Sequence, residues 1–242
     1  MKIIIIRHGD PNYEIDSLTP TGWEEAELLA DRIAKLDVKD FYVSPLGRAQ
    51  HTASVTFKKT GRTGKTLPWL REFLVPVVKP YETEPDCAWD WMPAVWTKEP
   101  NFFDRFKWTQ HEVYEKVGLA NEAKKVVDSL DALLASHGYR REGDYYRAEK
   151  SNEDTIVFFC HFGLECLLLG HLLNISPVLL WQGTCAAPTS VTTLVTEERQ
   201  EGIAYFRMSA FGDTSHLYAA GREPSFSARF CETFDDPDPS HH

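Results

Sequence analysis

Two imidazoles and two guanidiniums of this chain stand where apolar runs give out. Arg7 and His8, followed by Gly9, close the run Met1-Lys2-Ile3-Ile4-Ile5-Ile6. His161, followed by Phe162 and Gly163, closes the apolar stretch 155–160, and Arg48 follows Phe41-Tyr42-Val43 and Ser44-Pro45. All four are donors to an oxyanion. Guanidiniums offer a fork that matches phosphate oxygens, and free amides opening a helix after His161 would add donors with the favourable dipole sign. A dianionic phosphoryl group is the guest that such a set predicts. With two histidines, one imidazole can attack phosphorus while the other stabilises the equatorial oxygens, so a phosphohistidine intermediate is expected. The leaving alkoxide needs a proton, and Glu72, in Leu70-Arg71-Glu72-Phe73, is the best-placed carboxylate to supply it.

These groups need elements that bring them to one edge. Four consecutive isoleucines read as a strand buried on both faces, and in open α/β sheets ligands bind beyond the carboxyl ends of strands. Thr19 is placed to cap a helix that has Pro20 at its first position and runs to about residue 36, with Trp23, Ala26, Leu29, Ala30 and Ile33 on one face. Residues 41–43 form a second strand, and a helix starts at Ser44-Pro45. Residues 73–108 carry five prolines and four tryptophans, Trp89, Trp91, Trp96 and Trp108. They are expected as an irregular insertion, a lid over the carboxyl edge, with Asp86, Asp90 and Lys98 its polar candidates. A helix over 123–136 ends at Gly138. Residues 139–154 read as a polar connection in which Arg140, Arg141 and Arg147 are solvated. A strand over 155–160 leads into a helix over 164–173, whose leucines suit either core or interface. Residues 191–196 and 203–208 read as paired strands. The expected fold is a three-layer α/β/α arrangement with a mostly parallel central sheet, one domain over 1–220, and a poorly ordered acidic tail over 221–242.

Composition narrows the function. A formal charge of −10 opposes general affinity for nucleic acid or anionic membrane, so an anion must be held by a local cluster of cations. No stretch approaches the roughly 20 apolar residues that span a bilayer. Five cysteines without a Cys-x-x-Cys pair suit a reducing, cytoplasmic compartment, with Cys160 a small core hydrophobe.

Five pieces in order resemble the histidine phosphatase superfamily, also called phosphoglycerate-mutase-like: Arg7-His8-Gly9, Leu18-Thr19-Pro20-Thr21-Gly22, Ser44-Pro45-Leu46-Gly47-Arg48-Ala49-Gln50-His51-Thr52, Leu70-Arg71-Glu72 and His161-Phe162-Gly163. The resemblance implies His8 as nucleophile, Arg7, Arg48 and His161 as the phosphate pocket, Glu72 as proton donor, and no metal or other cofactor. Phe162, Asn12 and Thr19 are added as substrate contacts. Three features depart from the pattern. Phe162 stands where the family has a small residue. The aromatic insertion replaces the continuation expected of true mutases. Asp10 could orient a histidine or act as an alternative acid. The leading expectation is a metal-independent phosphomonoester hydrolase acting on a small phosphorylated substrate. A mutase-type phosphotransferase and a non-catalytic phosphate-binding module are the alternatives, and a homodimer is compatible with the sequence. His51 and His216 are read as structural and His171 as core or interface, His111 and His137 have no motif around them, and His241 and His242 have no role.

Overall fold

The computed structural model describes residues 1–227 and 229–236; His241 and His242 lie outside them. In chain order the elements are β1 (Lys2–Arg7), β2 (Pro11–Asn12), β3 (Ser17–Leu18), α1 (Pro20–Ile33), β4 (Asp40–Val43), α2 (Gly47–Thr60) and β5 (Lys65–Thr66). The insertion follows, with short helices α3 (Pro93–Trp96) and α4 (Glu112–Lys116). After it come α5 (Leu119–Ser136), β6 (Tyr139–Glu142), β7 (Tyr145–Ala148), β8 (Thr155–Cys160), α6 (Phe162–Leu173), α7 (Pro177–Gly183), β9 (Val191–Gln200), β10 (Ile203–Asp213) and α8 (Ser215–Ala219).

Eight strands form one sheet in the order β5-β4-β8-β1-β9-β10-β7-β6. Neighbours are parallel from β5 to β1 and antiparallel from β1 to β6, so six of the eight described strands share the direction of β1 and only β9 and β7 oppose it. Alternation along β1 explains the three layers. Ile4 and Ile6 pack with Leu29 and Ile33 of α1 and Ala53 of α2. Ile3 and Ile5 pack on the opposite face with Leu130 and Leu134 of α5 and Leu164 and Leu168 of α6. All four isoleucines are buried, each worth about 1.5–3 kcal/mol of transfer free energy. Leu167, Leu168, Leu169 and Leu172 are buried within the chain, which settles α6 as core and leaves those four side chains no surface for a second copy. Among the described residues, no helix is long and apolar enough to cross a membrane.

Several boundaries differ from the sequence expectation. Thr19 caps α1 as expected, its hydroxyl accepting from Gly22 N–H at 3.0 Å. Helix α2, however, begins at Gly47 rather than Ser44, because Ser44 Oγ is bonded to His161 and to Leu46 N–H. The polar connection after α5 is a hairpin, β6–β7, completing the sheet edge. Its arginines pair with Glu149, Asn174 and Glu142, satisfying the backbone and the charges together. Strands β9 and β10 extend well past the expected ends. The stretch from 221, expected as a poorly ordered tail, has no regular structure over 222–225 but is docked: Ser225 N–H donates to Glu25 at 3.1 Å and Ser227 reaches the carboxyl end of β1.

Candidate active site

Strands β1, β4 and β8 end side by side, and each delivers polar groups at that edge. Arg7 and His8 leave β1, Ser44 leaves β4, and His161 leaves β8, with Cys160 directly opposite Arg7 in the register. His8, His161, Arg7 and Arg48 are buried although all four carry or can carry charge. The two imidazole centroids are 5.1 Å apart and tilted by 55°. His8 Nδ1 lies 2.8 Å from Gly9 O. A carbonyl can only accept, so Nδ1 carries the proton and Nε2 presents its lone pair. Burial, reinforced by the charges of Arg7 and then Arg48, holds the His8 imidazole well below its ordinary pKa, so it is neutral at neutral pH. His161 is pushed down in the same way, by burial and then by His8 and Arg48. Its Nε2 is bonded to Ser44 Oγ at 2.7 Å; with the hydroxyl donating, Nδ1 is left as an N–H donor.

The arginines are held from behind. Arg7 donates from Nη1 to Ala186 O at 2.6 Å and from Nη2 to Ser227 O at 2.8 Å. Arg48 donates from Nη1 to Asp16 at 2.7 Å. Arg7 Nε, Arg48 Nε and His161 Nδ1 are buried without a hydrogen-bond partner among the described residues. Buried donors of this kind are costly, about 1–3 kcal/mol each, and a cluster of them beside His8 is a set that an anion can satisfy. Thr52 reinforces the loop beneath, accepting from Gly9 N–H at 2.9 Å and donating to Arg48 O at 2.8 Å.

Glu72 reaches the same edge from the insertion and corrects one expectation. The amides that open α6 are not free: Leu164 N–H donates to Glu72 Oε1 at 2.9 Å and Gly163 N–H to Oε2 at 3.3 Å, with Phe73 N–H adding 2.8 Å to Oε1. A carboxylate at a helix N-terminus is favoured by the dipole. Burial nonetheless raises its pKa, and those amides with Arg48 offset only part of the rise, which suits a proton donor. Trp89 of the insertion lies against this junction. A Cβ at Gly163 would come within 2.5 Å of Trp89 Cη2 and 2.9 Å of Glu72 Oε1. Trp181 locks the same turn, its Nε1–H donating to Gly163 O at 2.9 Å. Trp89, Trp91, Trp108 and Phe102 of the insertion are buried in the main core.

The remaining candidates are occupied elsewhere. Asn12 accepts from Glu14 N–H at 3.2 Å, capping a short turn. Thr19 donates to Asp10 at 2.6 Å, and Asp10 also accepts from the Ser227 hydroxyl, so its carboxylate braces the loop rather than a histidine. Phe162 opens α6 and packs partly into the core. Asp86 ion-pairs with the buried Lys79, and Lys98 is exposed. The other histidines meet structural partners: His51 meets Ser17, His137 meets Tyr42, His171 meets Asp131, His216 meets Thr189, and His111 caps α4. Asp16 and Ser227 carry no sequence signature, because they act on Arg48 and Arg7 across long separations. Ser44 and Thr52 lie inside the piece that runs from Ser44 to Thr52, where the sequence offered Ser44 only as a helix start.

Residues 3–140 match the histidine phosphatase superfamily (branch 1). A stretch of 108 residues is 34% identical to the mitochondrial serine/threonine-protein phosphatase Pgam5 of Caenorhabditis elegans, covering 42% of this chain and 34% of that protein. In fold, the chain is similar to a phosphoserine phosphatase variant from Entamoeba histolytica solved with phosphoserine, at 21% identity and TM-score 0.57 over 89% of this chain and 98% of that one. It is also similar to a mycobacterial glucosyl-3-phosphoglycerate phosphatase solved with VO3, at 18% identity and TM-score 0.56 over 88% and 99%.

Proposed function

As the chain belongs to the histidine phosphatase superfamily, we propose that this enzyme hydrolyses phosphomonoesters through a phosphohistidine on His8. His8 Nε2 attacks phosphorus, a P–N bond forms, and the P–O bond to the alcohol breaks. Glu72 gives its proton to the departing oxygen. Water then attacks the phosphohistidine and yields a proton to Glu72, releasing phosphate and restoring His8. Arg7, Arg48 and His161 hold the equatorial oxygens throughout, and their donors are already fixed in place before charge develops. The three unpartnered buried donors beside His8 carry this reading. Such a cluster, cationic and rich in N–H groups, supplies the electrostatic stabilisation a metal would otherwise give, so the chemistry is proposed as metal-independent.

The substrate is proposed as a small phosphorylated alcohol of the kind named for its fold neighbours. Five cysteines, none of them in a disulfide, support a reducing, cytoplasmic setting. A rapid-quench time course with an aryl phosphate in chelator tests the reaction. Release of phosphate with no acceptor other than water supports hydrolysis; a phosphoenzyme that discharges only onto an added sugar acid would replace it with the mutase reading, and phosphate binding without turnover with the binding module.

A further inference from the structure

Arg48 reaches the pocket from the start of α2, a helix whose own N-cap residue, Leu46, makes no side-chain capping bond. The capping acceptor comes instead from Asp16, more than thirty residues earlier, on the turn joining β2 to β3. Asp16 Oδ2 accepts from Gly47 N–H at 2.6 Å. Oδ1 accepts from Arg48 Nη1 at 2.7 Å and, more weakly, from Arg48 N–H at 3.5 Å. One carboxylate therefore grips both the backbone and the side chain of the same arginine. Burial alone would raise the Asp16 carboxyl, but these donors bring it below the ordinary carboxylate value, so it stays anionic at neutral pH.

The grip is bought with backbone strain. Asp16 is left-handed, with φ 46° and ψ 50°, a region that aspartate enters more readily than most residues but still at a cost. The approach is also tight: a Cβ at position 47 would lie 2.1 Å from Asp16 O, so only glycine lets the turn press onto the helix. From the far side, Tyr13 of the same turn sets its ring 5.3 Å from the Arg48 guanidinium carbon. Among the described residues, Arg48 Nε remains without a hydrogen-bond partner.

We propose that Asp16 is a positioning residue that orients Arg48 toward the phosphoryl group, which rests on the phosphatase reading above. A mere cap of α2 would act on stability alone. A positioning role acts through Arg48 and must vanish when Arg48 is gone, so a double-mutant cycle separates the two.

Asp16→Ala and Asp16→Asn are compared in the natural chain and in an Arg48→Ala background, reading kcat/KM and, by calorimetry, orthovanadate affinity. Asp16→Ala is expected to lose about 10- to 100-fold in both, the scale of one charge-assisted hydrogen bond. Asp16→Asn, which keeps an acceptor and tolerates the left-handed backbone, should lie between. In the Arg48→Ala background the loss should shrink to less than about twofold. Equal losses with and without Arg48, or no loss in folded Asp16→Asn and Asp16→Ala, would overturn the proposal. If the natural chain forms no phosphoenzyme, the hydrolase reading fails; the vanadate cycle still decides the role of Asp16.

Discussion

Glu165 offers a sharp test of how burial sets energetics around this site. It lies in the first turn of α6, one turn past His161, and is 1% exposed. Among the described residues, neither carboxylate oxygen meets a donor in hydrogen-bond geometry. Burial raises its pKa from 4.5 to about 7, with the nearby Thr192 hydroxyl and Arg7 offsetting only part. For an acid raised in the folded state, the protein binds more protons folded than unfolded between those two values. Its stabilising share is whole below about pH 4.5 and is lost as pH rises through about 7. At about 1.4 kcal/mol per pH unit, the loss amounts to roughly 3 kcal/mol. Glu165→Gln cannot ionise, so its stability should not fall through that window on this account. Urea unfolding of both proteins at intervals from pH 4.5 to 8 measures the difference. Any constant penalty from the buried amide cancels, as do the other titrating groups. The gap between variant and natural chain should widen by roughly 3 kcal/mol, or about 6–12 °C in Tm for a chain of this size. Parallel profiles would refute the reasoning.

Three further outcomes follow from the same geometry. With His8 held neutral and the Glu72 carboxyl raised, kcat/KM should peak on the acid side and fall as Glu72 ionises; Glu72→Gln should lose that basic limb and lower kcat by about 10²- to 10⁴-fold, read from pH–rate profiles. Gly163→Ala drives a methyl into Trp89 and Glu72, so denaturant unfolding should show a loss of about 1–3 kcal/mol, partly restored by adding Trp89→Ala. A chain ending at residue 223 frees Arg7 Nη2 from Ser227 O; inorganic phosphate should then inhibit about tenfold more tightly, the worth of one hydrogen bond to a charged group.

The gathering of Arg7, His8 and His161 at one sheet edge was legible because its signals are local. Arg7-His8-Gly9 and His161-Phe162-Gly163 each follow a strand whose burial is written in consecutive apolar residues, so where the histidines emerge could be read directly. The α/β/α layering followed from the same runs. What could not be read depends on pairings distant in sequence. Glu72 looked like a free acid because nothing near it foretold the amides of residues 163 and 164. Ser44 looked like a helix start because its partner, His161, is 117 residues away. The polar hairpin hid as a loop because its alternation is weak and its charges pair across strands. Ser225 and Ser227 sit in a stretch whose composition resembles a tail, yet backbone groups bind Glu25 and Arg7 without needing an apolar side chain.

The central claim is that phosphate passes through His8. Intact-mass spectrometry after rapid quench in chelator, on the natural chain, His8→Ala and His161→Ala, followed by fragmentation to locate the adduct, tests it most directly. One phosphoryl group per chain on His8, diminished in His161→Ala and absent in His8→Ala, is the predicted result. Turnover that continues in His8→Ala, or an adduct on His161, would contradict it.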